Sequence, residues 1–549
     1  MVNRRAELQK AAADVFGWAQ LRPAQLEAME AVLCGRDVLA VMATGSGKSA
    51  IYQVPGILID GVTLVVSPLI ALQHDQIQGL AGTGAPAAVA INSLLGDDET
   101  DRAWQALRDR VAEYVFLAPE QLTNDEVLAS LVDAGISLIV VDEAHCVAAW
   151  GHDFRPDYLR IADAVARLGH PTVVALTATA SPPVRREIVE QLGLRDPTVI
   201  ASGFDRPNIR LEACFRVSDD DKRDAVLAAA LAADRPSLLY TATRKDAETY
   251  AAEMVSHGVG AVAYHAGLSR AEREEVHRAF RSGEAQVVAA TSAFGMGIDK
   301  ADVRAVIHAS IPDSVDNYYQ QIGRAGRDGK PAVAQLFYRP EDLGMARFFT
   351  SQQSDEALLA TVYSALLEAG THQGLKALGA GLDISSRRLT NALNILEEAG
   401  LIRSSGKGFR AAKKVSLDEA ARLGAEVVER KERIDRTRIE MMRGYAETRD
   451  CRRQFLLSYF AETMPELCGN CDRCDEIATA GTEVSGAAGE WAVDTPVTHR
   501  QWGRGVVMSV DHDRITVLFD DYGYRTLALE AIVESRVLRR RTTAGRGSC

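Results

Sequence analysis

Between Phe16 and Leu343 the chain repeats one pattern: a short apolar run, a polar or glycine-rich turn, then a helical stretch. Leu138-Ile-Val-Val is the clearest run, and four apolar residues in a row suit a strand buried on both faces of a parallel sheet. The runs after Asp37, Thr63, Tyr114 and Val173 read the same way, and those after Ser237, Ala261 and Gln286 begin a second alternation. Polar residues follow several of them, among them Ser67, Gln73 and Asp75, then Pro119 and Glu120, then Thr177 and Thr179. Strands with polar residues along one sheet edge predict a nucleotide-binding α/β domain followed by another. From Asp355 the pattern turns helical, with Leu389, Leu393 and Leu396 on one face, and Leu401–Arg410 reads as a hairpin wing. Ala420 to Arg449 mixes charges with Ile434, Ile439, Met442 and Tyr445, predicting a helical pair. Ile477 to Glu490 reads as a linker, and the alternation from Pro496 onward as strands of a small barrel.

Composition changes this picture little. The chain has 549 residues, 47% hydrophobic and 25% charged, which predicts about three to five soluble domains. A net charge of −13 means that any nucleic-acid contact needs local basic patches. No signal segment or membrane-length apolar run is visible, so a cytoplasmic protein is expected. Of eight cysteines, Cys34, Cys146, Cys214 and Cys549 are scattered and read as reduced thiols.

Candidate chemistry gathers at the ends of the predicted strands. Ala43-Thr44-Gly45-Ser46-Gly47-Lys48-Ser49 lets backbone amides wrap phosphate oxygens, with Lys48 on the phosphates and the Ser49 hydroxyl on magnesium. Met42 stands where the general phosphate-loop pattern has its first glycine. Asp142 can hold the same magnesium ion and Glu143 can orient an attacking water. Trp150, His152, Phe154 and Arg155 follow at once, rings and a guanidinium suited to stacking on nucleic-acid bases. Gln25 can read an adenine edge with Trp18 on its face and Arg22 in support; alternatively the stretch is a helix start with Pro23 in its first turn. Arg324 and Arg327, three apart in Gly323-Arg-Ala-Gly-Arg-Asp-Gly, would share a helix face and offer positive charge to a γ-phosphate, or are surface arginines of a glycine-rich loop. Cys451 with Cys468-Gly-Asn-Cys471-Asp-Arg-Cys474 supplies four thiolates for structural zinc, disulfides being disfavoured in a reducing compartment. Arg387, Arg388, Lys407, Arg410, Lys413 and Lys414 form a basic patch near the hairpin, open to DNA phosphates or to a protein.

Ala43–Ser49, Asp-Glu-Ala-His145, Trp-Gly-His-Asp-Phe-Arg-Pro156, Phe294-Gly-Met-Gly-Ile and the Gly323–Gly329 segment together resemble superfamily 2 helicases of the RecQ family. The resemblance implies two RecA-like lobes, at 1–203 and 204–345, and an ATP-dependent 3′-to-5′ DNA helicase of repair and recombination. It puts Trp18, Arg22 and Gln25 at the adenine, Lys48 and Ser49 at phosphate and magnesium, and Asp142 and Glu143 at metal and water. Trp150–Arg155 becomes a DNA-sensing loop, with Ala149 replacing a usual polar residue, and Arg327 is the arginine finger beside Arg324. The cysteine spacing matches the family's zinc module, here at 416–476 and preceded by a winged-helix-like domain at 346–415. After the 477–490 linker, the barrel at 491–549 resembles the Tudor-like module of UvrD-type helicases, which implies a protein partner such as RNA polymerase. The tail arginines Arg536, Arg539, Arg540 and Arg541 can touch phosphate or remain solvated. The expected cofactors are ATP, Mg2+ and Zn2+, the expected partners single-stranded and tailed duplex DNA, and the expected place the cytoplasm, at the nucleoid. The rival readings are an RNA helicase on the same scaffold and a DNA-binding regulator with a vestigial motor.

Overall fold

The computed structural model describes residues 4–68, 70–92, 96–151, 153–295, 300–344, 355–405, 408–480, 491–492, 495–510, 514–520, 522–535 and 537–541. His152, the Met296–Asp299 end of the glycine-rich turn, Lys407, most of the 477–490 linker, Arg536 and Cys549 lie outside them. The chain divides into two compact units, one of residues 1–42, 46–202 and 351–432, the other of 43–45, 203–350 and 433–549.

The first unit holds a seven-stranded parallel sheet. Its strands are β1 (Val38–Val41), β2 (Val62–Val66), β3 (Ala87–Ile91), β4 (Ala112–Leu117), β5 (Ile136–Val141), β6 (Thr172–Thr177) and β7 (Thr198–Ala201). Their order is β3-β4-β2-β5-β6-β1-β7, so the strand bearing Asp142 at its end is central. β1 and β2 are buried at every position, as their apolar runs require. Asp37 ties strand ends together: its carboxylate accepts from the amides of Val173 (2.9 Å) and Arg195 (2.7 Å). The helices Arg4–Phe16 and Pro23–Leu33 cover one face through Leu8, Ala12, Met29 and Val32.

The same unit contains the winged-helix-like region. The helices Glu356–Ala369, Leu375–Leu382 and Ser386–Glu398 precede an antiparallel hairpin, Ile402–Ser405 with Gly408–Ala411. Leu389, Leu393 and Leu396 are buried together, as their spacing predicts. Arg160 reaches the hairpin, donating to the Ser404 carbonyl (2.8 Å) and pairing with Glu397. The expected helical pair over Ala420–Arg449 is instead one helix, Leu417–Glu447, of 31 residues. Nothing stops it: Gly424 sits inside, where a Cβ would meet Leu359 at 2.7 Å, so the glycine serves packing and not a turn. Ala420, Val427 and Val428 of this helix belong to the winged-helix core.

The second unit holds a six-stranded parallel sheet. It comprises β8 (Ile209–Phe215), β9 (Ser237–Tyr240), β10 (Ala261–Tyr264), β11 (Val287–Ala290), β12 (Ala305–His308) and β13 (Ala332–Tyr338), in the order β10-β11-β9-β12-β13-β8. The zinc-type module docks on edge strand β8, where Leu211 bridges Cys471 and Arg453 donates to the Ile209 carbonyl (2.6 Å). Phe460 stacks on Phe204 with centroids 4.6 Å apart. The C-terminal barrel is a five-stranded antiparallel sheet around Val497, Val507, Ile515, Val517 and Phe519. Among the described residues no helix is long and apolar enough to cross a membrane.

Candidate active site and metal centre

The loop after β1 is shaped by glycine. Gly45 and Gly47 have φ of +78° and +76°, where a side chain is strained, so the chain can turn its amides inward. Thr44 and Gly45 lie in the short stretch that clusters with the second unit; Ser46 is buried, and Lys48 and Ser49 are half-buried. Lys48 Nζ donates to the Met42 carbonyl (3.0 Å). Ser49 stands at the start of the helix Ala50–Gly56. Gln25, 6% exposed, spends its amide locally: Nε2 donates to the carbonyls of Ser46 (3.0 Å) and Gly47 (2.9 Å), and Oε1 accepts from the Arg22 amide (2.8 Å). Reading an adenine edge therefore requires that amide to release the loop. Trp18 stacks on Phe16 (4.6 Å), and Arg22 is exposed at the head of the helix.

Asp142 and Glu143 sit at the end of β5. Burial, then the neighbouring Glu143 charge, pushes the Asp142 carboxyl up to about 6, while Lys48 pulls it back. A buried carboxylate in that condition gains from a cation at its face. Gln76 Nε2 donates to Asp142 (3.2 Å), a partner no motif pointed to. Glu143 has φ +48°, an αL conformation that a glutamate adopts at a cost on the order of 1 kcal/mol. The corner holds it there: Asp142 Oδ1 accepts from the Glu143 amide (3.0 Å), and the Tyr158 hydroxyl donates to the Asp142 carbonyl (3.0 Å). His145 lies within 3.3 Å of the Glu143 carboxylate and 2.9 Å of the Thr177 hydroxyl, so the acids are tied to the end of β6.

The aromatic loop turns back on this corner. A Cβ at Gly151 would lie 2.1 Å from the His145 carbonyl oxygen, so only glycine fits. The Arg155 amide donates to the Cys146 carbonyl (2.8 Å), closing the loop, and its guanidinium pairs with Asp153 (2.9 Å) and reaches the Pro68 carbonyl (3.3 Å). The Trp150 amide donates to Glu187 (3.0 Å), and Lys431 Nζ lies 5.2 Å from the Phe154 ring centre. Trp150, Phe154 and Arg155 are half-buried. Ser67 and Gln73 are fully buried, with Gln73 donating to the Ser67 carbonyl (2.9 Å).

In the second unit the arginine pair is not on a helix. The helix Val315–Ile322 ends at Gly323, and Arg324 and Arg327 follow in a turn. Arg324 is 4% exposed against Gly295 and Tyr240, whereas Arg327 is half-buried. Arg206 clamps the turn by donating to the carbonyls of Gly323 (3.1 Å), Ala325 (2.8 Å) and Gly326 (3.1 Å), and Asn208 adds a bond to Gly326 (2.8 Å). No periodic signal marked Arg206 or Asn208; only the distance they bridge gives them away.

The cysteines converge. One ligand atom from each of Cys451, Cys468, Cys471 and Cys474 lies within 4.8 Å of the others. Cys468 and Cys471 stand 3.7 and 3.4 Å from Cys474, against about 3.8 Å between sulfurs in a tetrahedron with Zn–S near 2.3 Å. The amides of Asn470 and Cys474 point at Cys468 and Cys471 sulfurs, both at 3.4 Å. Hydrogen bonds from Cys451 and Cys468 hold the Cys471 thiol well below its usual range. Arg452, fully buried, braces the cluster through two bonds to Asp472 (2.6 and 2.9 Å).

Comparison with known proteins accounts for these parts. Residues 22–187 match the DEAD/DEAH box helicase family, 221–329 the helicase conserved C-terminal domain, and 412–475 the RecQ zinc-binding domain. The ATP-dependent DNA helicase RecQ of Bacillus subtilis is 32% identical over 86% of this chain and 67% of its own length. The chain belongs to the RecQ family of ATP-dependent DNA helicases. The probable ATP-dependent DNA helicase RecS of Bacillus subtilis is 38% identical over 63% of this chain and 70% of its own, and the RecQ of Pasteurella multocida 33% identical over 84% and 61%. The chain thus spans 61% to 70% of the length of these RecQ-family relatives. A DUF1998 helicase, MrfA, bound to DNA and AMPPNP, shares the fold with a TM-score of 0.51 at 19% identity, over 75% of this chain and 62% of that one. The four-cysteine cluster lies inside the RecQ zinc-binding match, and its geometry fits zinc; ATP with magnesium is the family's other cofactor set.

Proposed function

We propose that the protein is a DNA-stimulated ATPase that unwinds duplex DNA from a 3′ single-stranded tail, in DNA repair or recombination. One observation carries the reading: the Gly151 turn and the bond from the Arg155 amide to the Cys146 carbonyl fasten the aromatic loop directly behind Asp142 and Glu143. A base stacking on Trp150 or Phe154, or a phosphate drawn to Arg155, therefore pulls on the backbone that sets the two acids. His152, assigned to the same loop, lies outside the described residues.

The remaining roles follow from chemistry. Thr44 to Gly47 wrap the phosphates, Lys48 exchanges the Met42 carbonyl for phosphate oxygens, and Ser49 with Asp142 holds magnesium. When bound, magnesium neutralises charge growing on the transferred phosphoryl group. Glu143 orients the attacking water, and Trp18, Arg22 and Gln25 receive the adenine. Arg327, half-buried in a turn that Arg206 clamps, serves as the finger, and the buried Arg324 fixes the turn beside Tyr240. The lobe limits 1–203 and 204–345, the winged-helix-like domain at 346–415, the zinc module at 416–476 and the barrel at 491–549 belong to the same proposal. DNA contact by the exposed Arg387, Arg388, Arg410, Lys413 and Lys414 belongs to it too. A protein partner for the barrel, RNA polymerase among the candidates, rests on sequence resemblance alone.

Strand displacement on duplexes carrying a 3′ or a 5′ tail, with and without ATP, tests the proposal. Unwinding should need ATP and the 3′ tail, and Arg155→Ala should lower the ratio of DNA-stimulated to DNA-free turnover. Equal unwinding from both tails sinks the polarity, and an unchanged ratio sinks the coupling.

A further inference from the structure

Ahead of edge strand β8 the segment Phe204-Asp-Arg-Pro-Asn208 touches both the arginine turn and the zinc module, all within the second unit. Pro207 disfavours helical backbone at Arg206, and the Arg206 carbonyl accepts from the Ile209 amide (3.0 Å), so the segment closes in a tight turn. On one side Arg206 forks across the carbonyls of Gly323, Ala325 and Gly326. Asn208 lies so close that a Cβ on Gly326, whose φ is +56°, would stand 2.3 Å from its Nδ2. A guanidinium suits this task because its planar fork holds several oxygens in fixed directions, which a flexible ammonium does not.

On the other side the zinc module grips the same segment. Phe460 lies flat on Phe204, with ring centres 4.6 Å apart and planes within 4° of parallel. Glu462 accepts from the Phe204 amide (2.9 Å), and Asn470 donates to the Pro207 carbonyl (2.9 Å). Arg453 pairs with Asp205 (3.4 Å). Asn470 stands between Cys468 and Cys471, so whatever fixes the cysteine loop fixes this donor. The module also reaches the helix Val315–Ile322 that runs into the arginine turn. Tyr459 donates to Asp316, and Tyr319 packs on Phe460 (4.8 Å) while donating to the Phe204 carbonyl (2.7 Å). A module that merely covered β8 would need only contact with that strand; these bonds fall on the two segments that hold the Arg327 turn.

We propose that Arg206 is a positioning residue for Arg327, and that the zinc module sets it through Phe460 and Asn470. The module then aims the finger as well as closing the fold. The inference rests on the reading of Arg327 as the finger, and the experiment scores that reading separately.

ATP turnover of the full, zinc-loaded chain, stimulated by an oligothymidylate strand, tests the proposal in a double-mutant cycle. Arg327→Ala should lower kcat on the order of 10³-fold. Arg206→Ala should lower kcat roughly 10²-fold, as a misplacement of about 1 Å does, with KM for ATP within about twofold of wild type. In the Arg327→Ala background the same change should lower kcat by less than about twofold more, because nothing is left to aim. Asn470→Ala keeps the Asn470 backbone bond to Leu211 and should lower kcat by about threefold, the size of one neutral hydrogen bond, with zinc content unchanged. That loss too should vanish without Arg327. Melting temperatures establish folding, and Asn208→Ala, which removes the second tether to Gly326, carries the same cycle if Arg206→Ala does not fold. Equal losses in both backgrounds overturn the proposal, as does wild-type kcat in a folded Arg206→Ala chain. Wild-type kcat in Asn470→Ala overturns the part given to the zinc module. Wild-type turnover in Arg327→Ala alone is a different failure: it sinks the finger assignment, and this inference with it.

Discussion

The acid corner of the first unit and the cysteine cluster of the second solve opposite problems. At the corner the polar groups are partnered within the protein: Lys48 on the Met42 carbonyl, Gln25 on the Ser46 carbonyl, Asp142 on Gln76. Its acids are held where folding gains nothing, one with a raised carboxyl and one in an αL backbone. The cysteines have a single arrangement, already close to the tetrahedron that zinc needs and braced by a buried arginine. A site proposed to change state through a cycle is kept away from its own energy minimum, and a site that holds the fold sits in one.

The largest effect should separate them most sharply. Cys471→Ser, or stripping zinc with a chelator, removes an interaction worth about 10 kcal/mol in small zinc modules, more than such a module's own stability. Metal content should fall, and limited proteolysis should cut within residues 451–474; a protease-resistant, zinc-free module would break the contrast. Next, Glu143→Gln should lower ATP turnover by about 10³-fold, roughly 4 kcal/mol of barrier, with the melting temperature unchanged. A matching loss of stability would make Glu143 a structural residue.

The third prediction has a sign that only the active-site side of the contrast gives. Asp142 titrates at about 6 in the fold, above its ordinary value of 3.8, so its favourable contribution is present below the ordinary value and lost as pH rises through 6. With no nucleotide or magnesium, Asp142→Asn should therefore stabilise the protein at pH 8, by on the order of 2 kcal/mol, and much less at pH 5, while abolishing turnover. Denaturant melts at the two pH values decide it; a variant less stable at pH 8 refutes the idea of a costly carboxylate. Smallest of all, Gln25→Ala should raise KM for ATP about tenfold, near 1.4 kcal/mol, with little change in kcat. An unaltered KM would confine Gln25 to bracing the loop.

How much of this was legible beforehand depended on the kind of signal. Leu138–Val141 and the run after Asp37 announced themselves because strands buried on both faces leave no polar alternation to misread. Strand β3, Ala-Ala-Val-Ala-Ile, escaped notice because its small residues sit half-exposed at the sheet edge. Of the two readings kept for Arg324 and Arg327, the helix stops at Gly323 and the turn of the glycine-rich loop is what forms, while the single helix Leu417–Glu447, with Gly424 and Gly444 inside it, was read as a pair. The cysteine set was readable because its spacing is local. Gln76, Arg206 and Asn208 were not, since their value lies in contacts across 66, 117 and 118 residues of chain.

Gly151 has a consequence of its own. A single methyl group at this position has nowhere to go except into the peptide behind the two acids. Any relief must shift the His145 peptide, two residues beyond Glu143, so Gly151→Ala should blunt DNA response and hydrolysis in one stroke. The aromatic loop and the two acids are two sides of one peptide turn, and neither can be moved without disturbing the other.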